Sequence, residues 1–250
     1  MNDEEIKRMA EFEEKYWWFL GRQRIIVSIL ERQSKLKSDS KILDVGCGTG
    51  GTTLALRKFG LVYGTDSSLS ALKYSNQRGL DKVLKSSVYD LPFKDETFDL
   101  ITILDSLEHI EDDLRVLKEL KRILKKDGIL FIAVPAFQFL WSEHDVALSH
   151  FRRYNSKSLK TVVKQAGLQD TWSSYIISFL FPLIAIYRIV SRVKRNKSNP
   201  KPTLVQLPSF INSMFQKILF FEGRIVQKAS MPFGLSLICI SKISSSESLS

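Results

Sequence analysis

Leu43-Asp44-Val45-Gly46-Cys47-Gly48-Thr49-Gly50-Gly51 is the stretch that decides the fold. A short apolar run from Lys41 to Val45 feeds into glycines, and a helical pattern follows over residues 51–59. Glycine in such a turn lets a ligand approach the backbone closely. Working outward, residues 61–65 read as a second strand, Ser67 or Ser68 as the cap of the next helix, and Gly79 as its end. Residues 82–86 form a weaker strand pattern. Residues 98–104 and 129–135 form stronger ones, β-branched or aromatic throughout. Between these two, Asp112 and Asp113 open a helix. Leu114, Leu117, Leu120 and Leu124 line one face of it, and Lys125, Lys126 and Gly128 close it. Near-continuous apolar strands separated by helices predict an α/β fold with a mostly parallel sheet covered on both faces.

The second half is organised differently. Residues 156–166 read as a helix ended by Gly167. Residues 175–190 form a long apolar run interrupted by Pro182. Arg188, Arg192, Lys194, Arg195, Lys197 and Lys201 form a basic stretch, and Pro200, Pro202 and Pro208 mark a linker. Ile211, Phe215, Ile218, Phe221 and Ile225 then recur at helical spacing. A strand over residues 235–240 precedes a serine-rich tail, residues 244–250, whose composition predicts disorder. The organisation expected is an N-terminal helical segment, residues 1–40, a core of residues 41–175 and 232–243, and a helical insertion, residues 176–231, before the last strand.

With 250 residues, 44% apolar and 26% charged, the chain has enough material for one sizeable core. Cys47 and Cys239 are too few for a disulfide framework or a zinc site, and read as reduced thiols in a cytoplasmic-type compartment. The acidic, polar start lacks the basic and apolar segments of a secretory signal. A net charge of +10 favours an anionic partner, whether nucleic acid, an anionic membrane surface or a phosphorylated substrate.

The turn lies where open α/β sheets bind ligands. Gly46, Gly48 and Gly51 satisfy the G-x-G-x-x-G dinucleotide fingerprint, and Asp66 sits at the end of the next strand, at a ribose-binding position. Asp44 tips the balance. A carboxylate just before the turn repels a pyrophosphate but suits the cationic amino and sulfonium end of S-adenosylmethionine. At these residues the sequence resembles the class I S-adenosylmethionine-dependent methyltransferases. Residues 42–50 look like their first motif and Asp66 like their ribose-binding acid. Leu91-Pro92-Phe93 with Phe98-Asp99 resembles the segment before their fourth strand, and Leu107-Glu108-His109-Ile110 the segment after it. The resemblance covers roughly residues 41–168 plus the final strand. It implies the family's Rossmann-like sandwich with a seven-stranded sheet, and S-adenosylmethionine as cofactor. It also implies that Asp44, Gly46 and Gly48 hold the amino-acid end, that Ser87 and Val88 flank the adenine, and that Leu104 and Asp105 line the methionine side. Cys47, Ser67 and His109 join the expected cofactor contacts. Many relatives carry Asp where this chain has Ser87, which shifts adenine recognition toward backbone groups or Asp90.

If the acceptor is a hydroxyl, a base must take its proton. His109, His144 and His150, the three histidines, all fall beyond the fourth or fifth strand, on the cofactor side. Tyr16-Trp17-Trp18-Phe19-Leu20-Gly21-Arg22, Trp141-Ser142-Glu143-His144-Asp145 and His150-Phe151-Arg152-Arg153-Tyr154 together resemble a type 11/23-like subgroup associated with surface-glycan and lipid-linked sugar pathways. That resemblance implies a lid carrying Trp18 and Arg22 over the cofactor. It implies His150 or His144 as base, with Asp145 orienting one of them. It places Trp141, Arg152, Arg153 and Tyr154 on the acceptor side, with Arg152 or Arg153 able to bind a phosphate. The alternative for Asp145, Arg153 and Tyr154 is a structural hydrogen-bonded network.

The apolar run over residues 175–190 is shorter than the ~20 residues that span a bilayer. An interfacial helix followed by basic residues fits it better, with a buried hairpin or a homodimer interface as alternatives. The leading expectation is O-methylation of a glycan or lipid-linked acceptor by a cytoplasmic protein peripheral to the inner face of the cell membrane. A soluble small-molecule or RNA methyltransferase is the second. Methylation of a base amine is disfavoured, because Leu104-Asp105-Ser106 stands where an NPPY-like element would be. A nicotinamide-dependent dehydrogenase or a non-catalytic cofactor-binding protein is the third. The sequence presents no metal-ligand spacing.

Overall fold

The computed structural model describes residues 3–193 and 207–244. Lys194, Arg195, Lys197, Lys201, Pro200, Pro202 and nearly all of the serine-rich tail lie outside the described residues.

Two helices, α1 (Asp3–Lys15) and α2 (Trp17–Gln33), precede the sheet. Its strands are β1 (Lys41–Val45), β2 (Leu61–Asp66), β3 (Val83–Lys85), β4 (Phe98–Leu104), β5 (Leu124–Pro135), β6 (Leu168–Ile176) and β7 (Ser236–Ile243). They lie in the order β3-β2-β1-β4-β5-β7-β6. β1 runs parallel to both β2 and β4, whereas β7 runs antiparallel to β5 and β6. The order therefore reverses at β1, between β2 and β4, and the crevice at the C-terminal end of β1 is the switch point where such sheets bind ligands.

Alternation along the strands divides the core in two. Leu43, Val45, Ile101, Ile103, Leu130, Ile132 and Val134 face α5 (Asp113–Ile123) and α7 (Ser156–Gln165). Ile42, Leu100, Ile129, Phe131 and Ala133 face the other way, onto Ile25, Ile26 and Ile29 of α2 and Leu219 and Val226 of α9 (Ser209–Val226). Local signals start the helices that follow α3 (Gly51–Leu56). Of the two serines the sequence offers, Ser68 caps α4 (Leu69–Gln77) by accepting from Ala71 N; Asp112 caps α5 by accepting from Arg115 N, and Asn155, which the sequence reading did not single out, caps α7.

Several boundaries differ from the sequence reading. α5 stops at Ile123, and Leu124, expected on its apolar face, is extended and pairs with Phe98 of β4. Lys125, Lys126 and Gly128 therefore belong to the strand, not to a helix end. A buried leucine fits either element, and sheet pairing decides. Pro182 does not break the apolar run. It lies in the first turn of α8 (Phe181–Val193), where its missing N–H costs nothing, while Tyr175 and Ile176 close β6. In α9 the buried stripe is Leu219, Glu222, Gly223 and Val226, offset from the predicted one, and Phe221 is exposed.

α9 lies directly on α2. A Cβ at Gly21 would meet Leu219 Cδ1 at 2.3 Å, so close approach of the two backbones requires glycine there. Asn212 of α9 ties into the α1–α2 junction, accepting from Trp17 N at 2.9 Å and donating to Lys15 O at 2.9 Å. Glu222, fully buried, accepts from Ser178 N and Phe179 N at 2.9–3.1 Å and so fixes the entrance to α8.

Candidate active site

The glycine turn after β1 is held from three sides. Gly46 N and Cys47 N both donate to Thr65 O of β2. Asp66, at the end of β2, accepts from Gly48 N at 2.9 Å and from Ser68 N at 2.8 Å, so its carboxylate sits against the turn. Glu13 of α1 closes the third side, accepting from Thr49 Oγ1 at 2.5 Å and Gly51 N at 3.1 Å, and paired with Arg78. Sequence reasoning missed Glu13 and Arg78, because neither belongs to a motif. Gly46 and Gly48 have φ of 73° and 56°, which glycine adopts without strain. A Cβ on Gly46 would strike Ser106 Oγ at 2.2 Å, whereas a Cβ on Gly48 would meet no described atom within 4 Å. The absent Gly48 side chain thus faces an open cradle.

Asp44 lies beneath the turn, 3% exposed, and accepts from Thr53 Oγ1 at 2.5 Å and Thr102 Oγ1 at 2.6 Å. Burial pushes its carboxyl up to about 6, against the opposing pull of the two hydroxyls and of Arg22. Arg22 reaches in from α2. Its Nη2 lies 3.0 Å from Asp105 Oδ2, forming an ion pair, and its Nε is buried with no hydrogen-bond partner among the described residues. Asp105 has φ of 47° just after β4, its N–H donating to Ala133 O. Leu104 at the strand end is half-buried. Trp18 packs edge-on against Trp17 and the α2-side core. Ser67 and Ser87 are exposed, Val88 is half-buried, and Ser87 forms a small turn with Asp90. Cys47 and Cys239 are free and buried, and burial pushes both thiols up.

Beyond β4 and β5 the structure gathers all three histidines. The rings of His109 and His150 lie 4.5 Å apart, centre to centre, and those of His144 and His150 6.4 Å apart. Asp145 of α6 (Glu143–Ala147) is the hub of this region. Its Oδ1 lies 2.9 Å from His150 Nδ1 and 2.7 Å from Arg153 Nε, and its Oδ2 accepts from Arg153 Nη2 at 3.1 Å and Ser142 N at 2.8 Å. Burial alone would raise this carboxyl. The His150 hydrogen bond and the Arg153 charge overcome that and hold it well below the usual carboxylate range. His144 is pushed down to about 4 by burial and the nearby Arg188 charge.

Two of the expected acceptor-side residues have other employment. The Arg153 side chain is 2% exposed and spent on Asp145 and Ala136 O, and the buried Tyr154 hydroxyl donates to Asp113 Oδ2 at 2.7 Å. Both side chains are turned to partners inside the fold. Arg152 is more open but ion-paired with Asp113 at 2.8 Å, while Trp141 is half-buried beside the histidine cluster's helix. Glu108, given no role by sequence reasoning, is 1% exposed with Oε2 unpartnered among the described residues. Burial and the Asp105 charge raise its carboxyl well above the usual range.

Residues 43–132 match the methyltransferase domain family. A demethylmenaquinone methyltransferase from Lactiplantibacillus plantarum is 38% identical over 177 residues, covering 55% of this chain and 74% of that relative. The chain belongs to the class I S-adenosylmethionine-dependent methyltransferases. Another member of the family, a demethylmenaquinone methyltransferase from Staphylococcus saprophyticus, is 33% identical over 133 residues, 50% of this chain and 54% of that one. The chain spans about half the length of most of the curated relatives it matches. Among solved structures, a chain of the complex between the Haloferax volcanii Trm112 methyltransferase activator and a methyltransferase superposes with a TM-score of 0.64 at 19% identity, over 97% of this chain and 95% of that one, which is a likeness of fold. The family's cofactor is S-adenosylmethionine. The open cradle over Gly48 and the unpartnered Arg22 Nε leave room and hydrogen-bonding capacity for it. Among the described residues no helix is long and apolar enough to cross a membrane.

Proposed function

We propose that this chain transfers a methyl group from S-adenosylmethionine to an oxygen of a glycan or lipid-linked acceptor presented at a membrane surface. The observation that carries this reading is the position of α8. Arg188 of that helix lies 4.0 Å from Asp145 Oδ2 and donates to Leu140 O at 3.4 Å, so α8 flanks the histidine cluster. The same helix leaves Leu183, Ile186, Ile189 and Val190 about half exposed or more. An apolar helix beside the acceptor side, continuing into basic sequence, suits an interfacial position on anionic lipid.

The cofactor supplies an activated methyl on a sulfonium, so the chain's work is to bind, orient and exclude water. In this reading Asp44, Gly46, Cys47 and Gly48 hold the amino-acid end and Asp66 the ribose. Ser67, Ser87 and Val88 border the adenine, and Leu104, Asp105 and His109 the methionine side. Residues 1–40 form the lid, with Arg22 and Trp18 reaching the cleft. His150, its ring fixed through Nδ1 by Asp145, activates the acceptor oxygen with Nε2, while His144 and Trp141 border the acceptor. Arg152, the more exposed of the two arginines, would exchange its Asp113 pair for an acceptor phosphate, and Arg153 and Tyr154 position the segment. An acceptor of the demethylmenaquinone class is the second reading, favoured by the similarity to the curated relatives so named.

The test uses methyl-labelled S-adenosylmethionine with an extract of the native cell, split into organic, aqueous and nucleic-acid fractions. Label in the organic fraction supports the reading, and chromatography of that fraction separates quinones from lipid-linked sugars. Label confined to the aqueous or nucleic-acid fraction refutes a lipid acceptor. Replacing Leu183 and Ile186 with Ser should abolish co-sedimentation with anionic liposomes. Unchanged co-sedimentation removes α8 from the membrane.

A further inference from the structure

The strand end that carries Asp105 continues into a single helical turn, Leu107–His109, which places Glu108 and His109 side by side on the cleft. The loop after α6 brings His150 to the same point. One ligand atom from each of Glu108, His109 and His150 lies within 4.8 Å of the other two. A buried carboxylate oxygen with no partner is costly unless something binds it, and Glu108, whose carboxylate belongs to this cluster, carries such an atom in Oε2. The chain also steadies both imidazoles. His150 Nδ1 is fixed by Asp145 at 2.9 Å, and the His109 ring interacts with the Leu148 backbone. Metal-ligating histidines are oriented in this way, the second nitrogen donating to a carboxylate or carbonyl.

The geometry points to a binding site for a first-row divalent transition-metal ion formed by Glu108, His109 and His150. Two imidazoles and one carboxylate are the donors that such ions take, and they leave coordination positions open. Closing the set to bonds of ~2.1 Å brings the donors to roughly 3.5 Å from one another, a contraction within reach of side-chain rotation. His109, on the exposed side, supplies it. The Glu108 carboxylate would neutralise part of the ion's charge, while Asp105 and Asp145 are each already paired with an arginine. Ser106, next to Asp105, stands so close to Gly46 that a Cβ there would meet its hydroxyl, so the cluster adjoins the glycine turn. The use of the ion rests on the methyl-transfer reading: with its Nε2 as a ligand, His150 would hold the ion and would not itself take the acceptor's proton, and the ion would supply Lewis-acid activation of the acceptor oxygen. Ion binding itself does not depend on the acceptor. Sequence spacing hides the site, because His150 is far along the chain from Glu108 and His109.

The probe is Co2+ added to the chelator-stripped full chain, followed by its visible ligand-field bands and by equilibrium dialysis. One Co2+ per chain, with bands of nitrogen–oxygen coordination, is the expected result. Glu108→Gln and His109→Ala should each weaken Co2+ at least ~10-fold, and His144→Ala should leave it unchanged. Circular dichroism confirms that the variants are folded, and His109, being exposed, is the safer of the two. No stoichiometric Co2+, or wild-type affinity in folded His109→Ala, overturns the site. Methyl transfer is measured in parallel, so a chain that binds Co2+ yet transfers no label sinks the acceptor reading alone, and a chain that transfers label without Co2+ binding sinks the ion alone.

Discussion

Arg22 of α2 and Asp105 at the end of β4 meet at 3.0 Å, joining the N-terminal helices to the sheet across the cofactor cleft. Arg22→Ala removes a buried charge partner and an unpartnered donor together. Interactions of charged groups are worth ~1.5–3 kcal/mol, so affinity for S-adenosylhomocysteine should fall roughly 10-fold or more. Titration calorimetry checks this. Unchanged affinity would place the helices outside the cofactor site.

The two glycines of the turn should respond differently to the same change. Gly46→Ala drives a Cβ into Ser106 and should lower the melting temperature. Gly48→Ala meets no described atom, so the fold should lose only the ~1–2 kcal/mol of left-handed strain while cofactor affinity drops sharply. Thermal melts and calorimetry on the pair separate the outcomes. Equal cofactor affinity in Gly48→Ala and wild type would mean that the cradle is not used.

Asp44 makes a prediction in pH. Its carboxyl is raised to about 6 in the fold from 3.8, so between those values the native chain binds more protons than the unfolded one. Stability from this group is complete below pH ~4 and is lost as pH rises through ~6, by up to ~3 kcal/mol. Asp44→Asn should abolish that slope, leaving the apo variant relatively more stable at neutral pH and poorer at binding cofactor. Parallel melting curves from pH 4 to 8 for the two chains would contradict the assignment.

Arg153 and Arg152, adjacent in sequence, should separate cleanly. Arg153→Ala strands the buried Asp145 carboxylate and should cost ~3–5 kcal/mol in denaturant unfolding. Arg152→Ala breaks a more open pair and should cost within ~1 kcal/mol, any effect falling on the KM for a phosphorylated acceptor. A large stability loss in Arg152→Ala, or none in Arg153→Ala, would reverse their roles.

The parallel strands were legible because each is a short apolar run bounded by capping or glycine residues: Ser68, Asp112 and Gly46 announced themselves locally. The Leu124 boundary was not legible, since its apolar side chain fits a helix face as well as a strand and only Phe98, distant in sequence, resolves it. Asp44 and Asp66 were singled out by spacing, and both lie against the glycine turn and the strands that carry it. Glu13, Arg78 and Glu108 were not, because their meaning comes from contacts between segments remote in sequence. Arg152-Arg153 looked like a single basic element, yet one is spent inside and the other faces out.

The clasp between Asn212 and the Lys15–Trp17 junction spans 195 residues or more of chain. It has a consequence for the order of events on the ribosome. Helices α1 and α2 cannot meet α9 until residues 209–226 have emerged. Glu13 and Arg22, which complete the cleft, travel with those helices. A nascent chain can thus pair β1, β2 and β4 before the outer face of α2 is covered. Products that stop before α9 should therefore lack the packing of Leu219 and Val226 on the helix that carries Arg22.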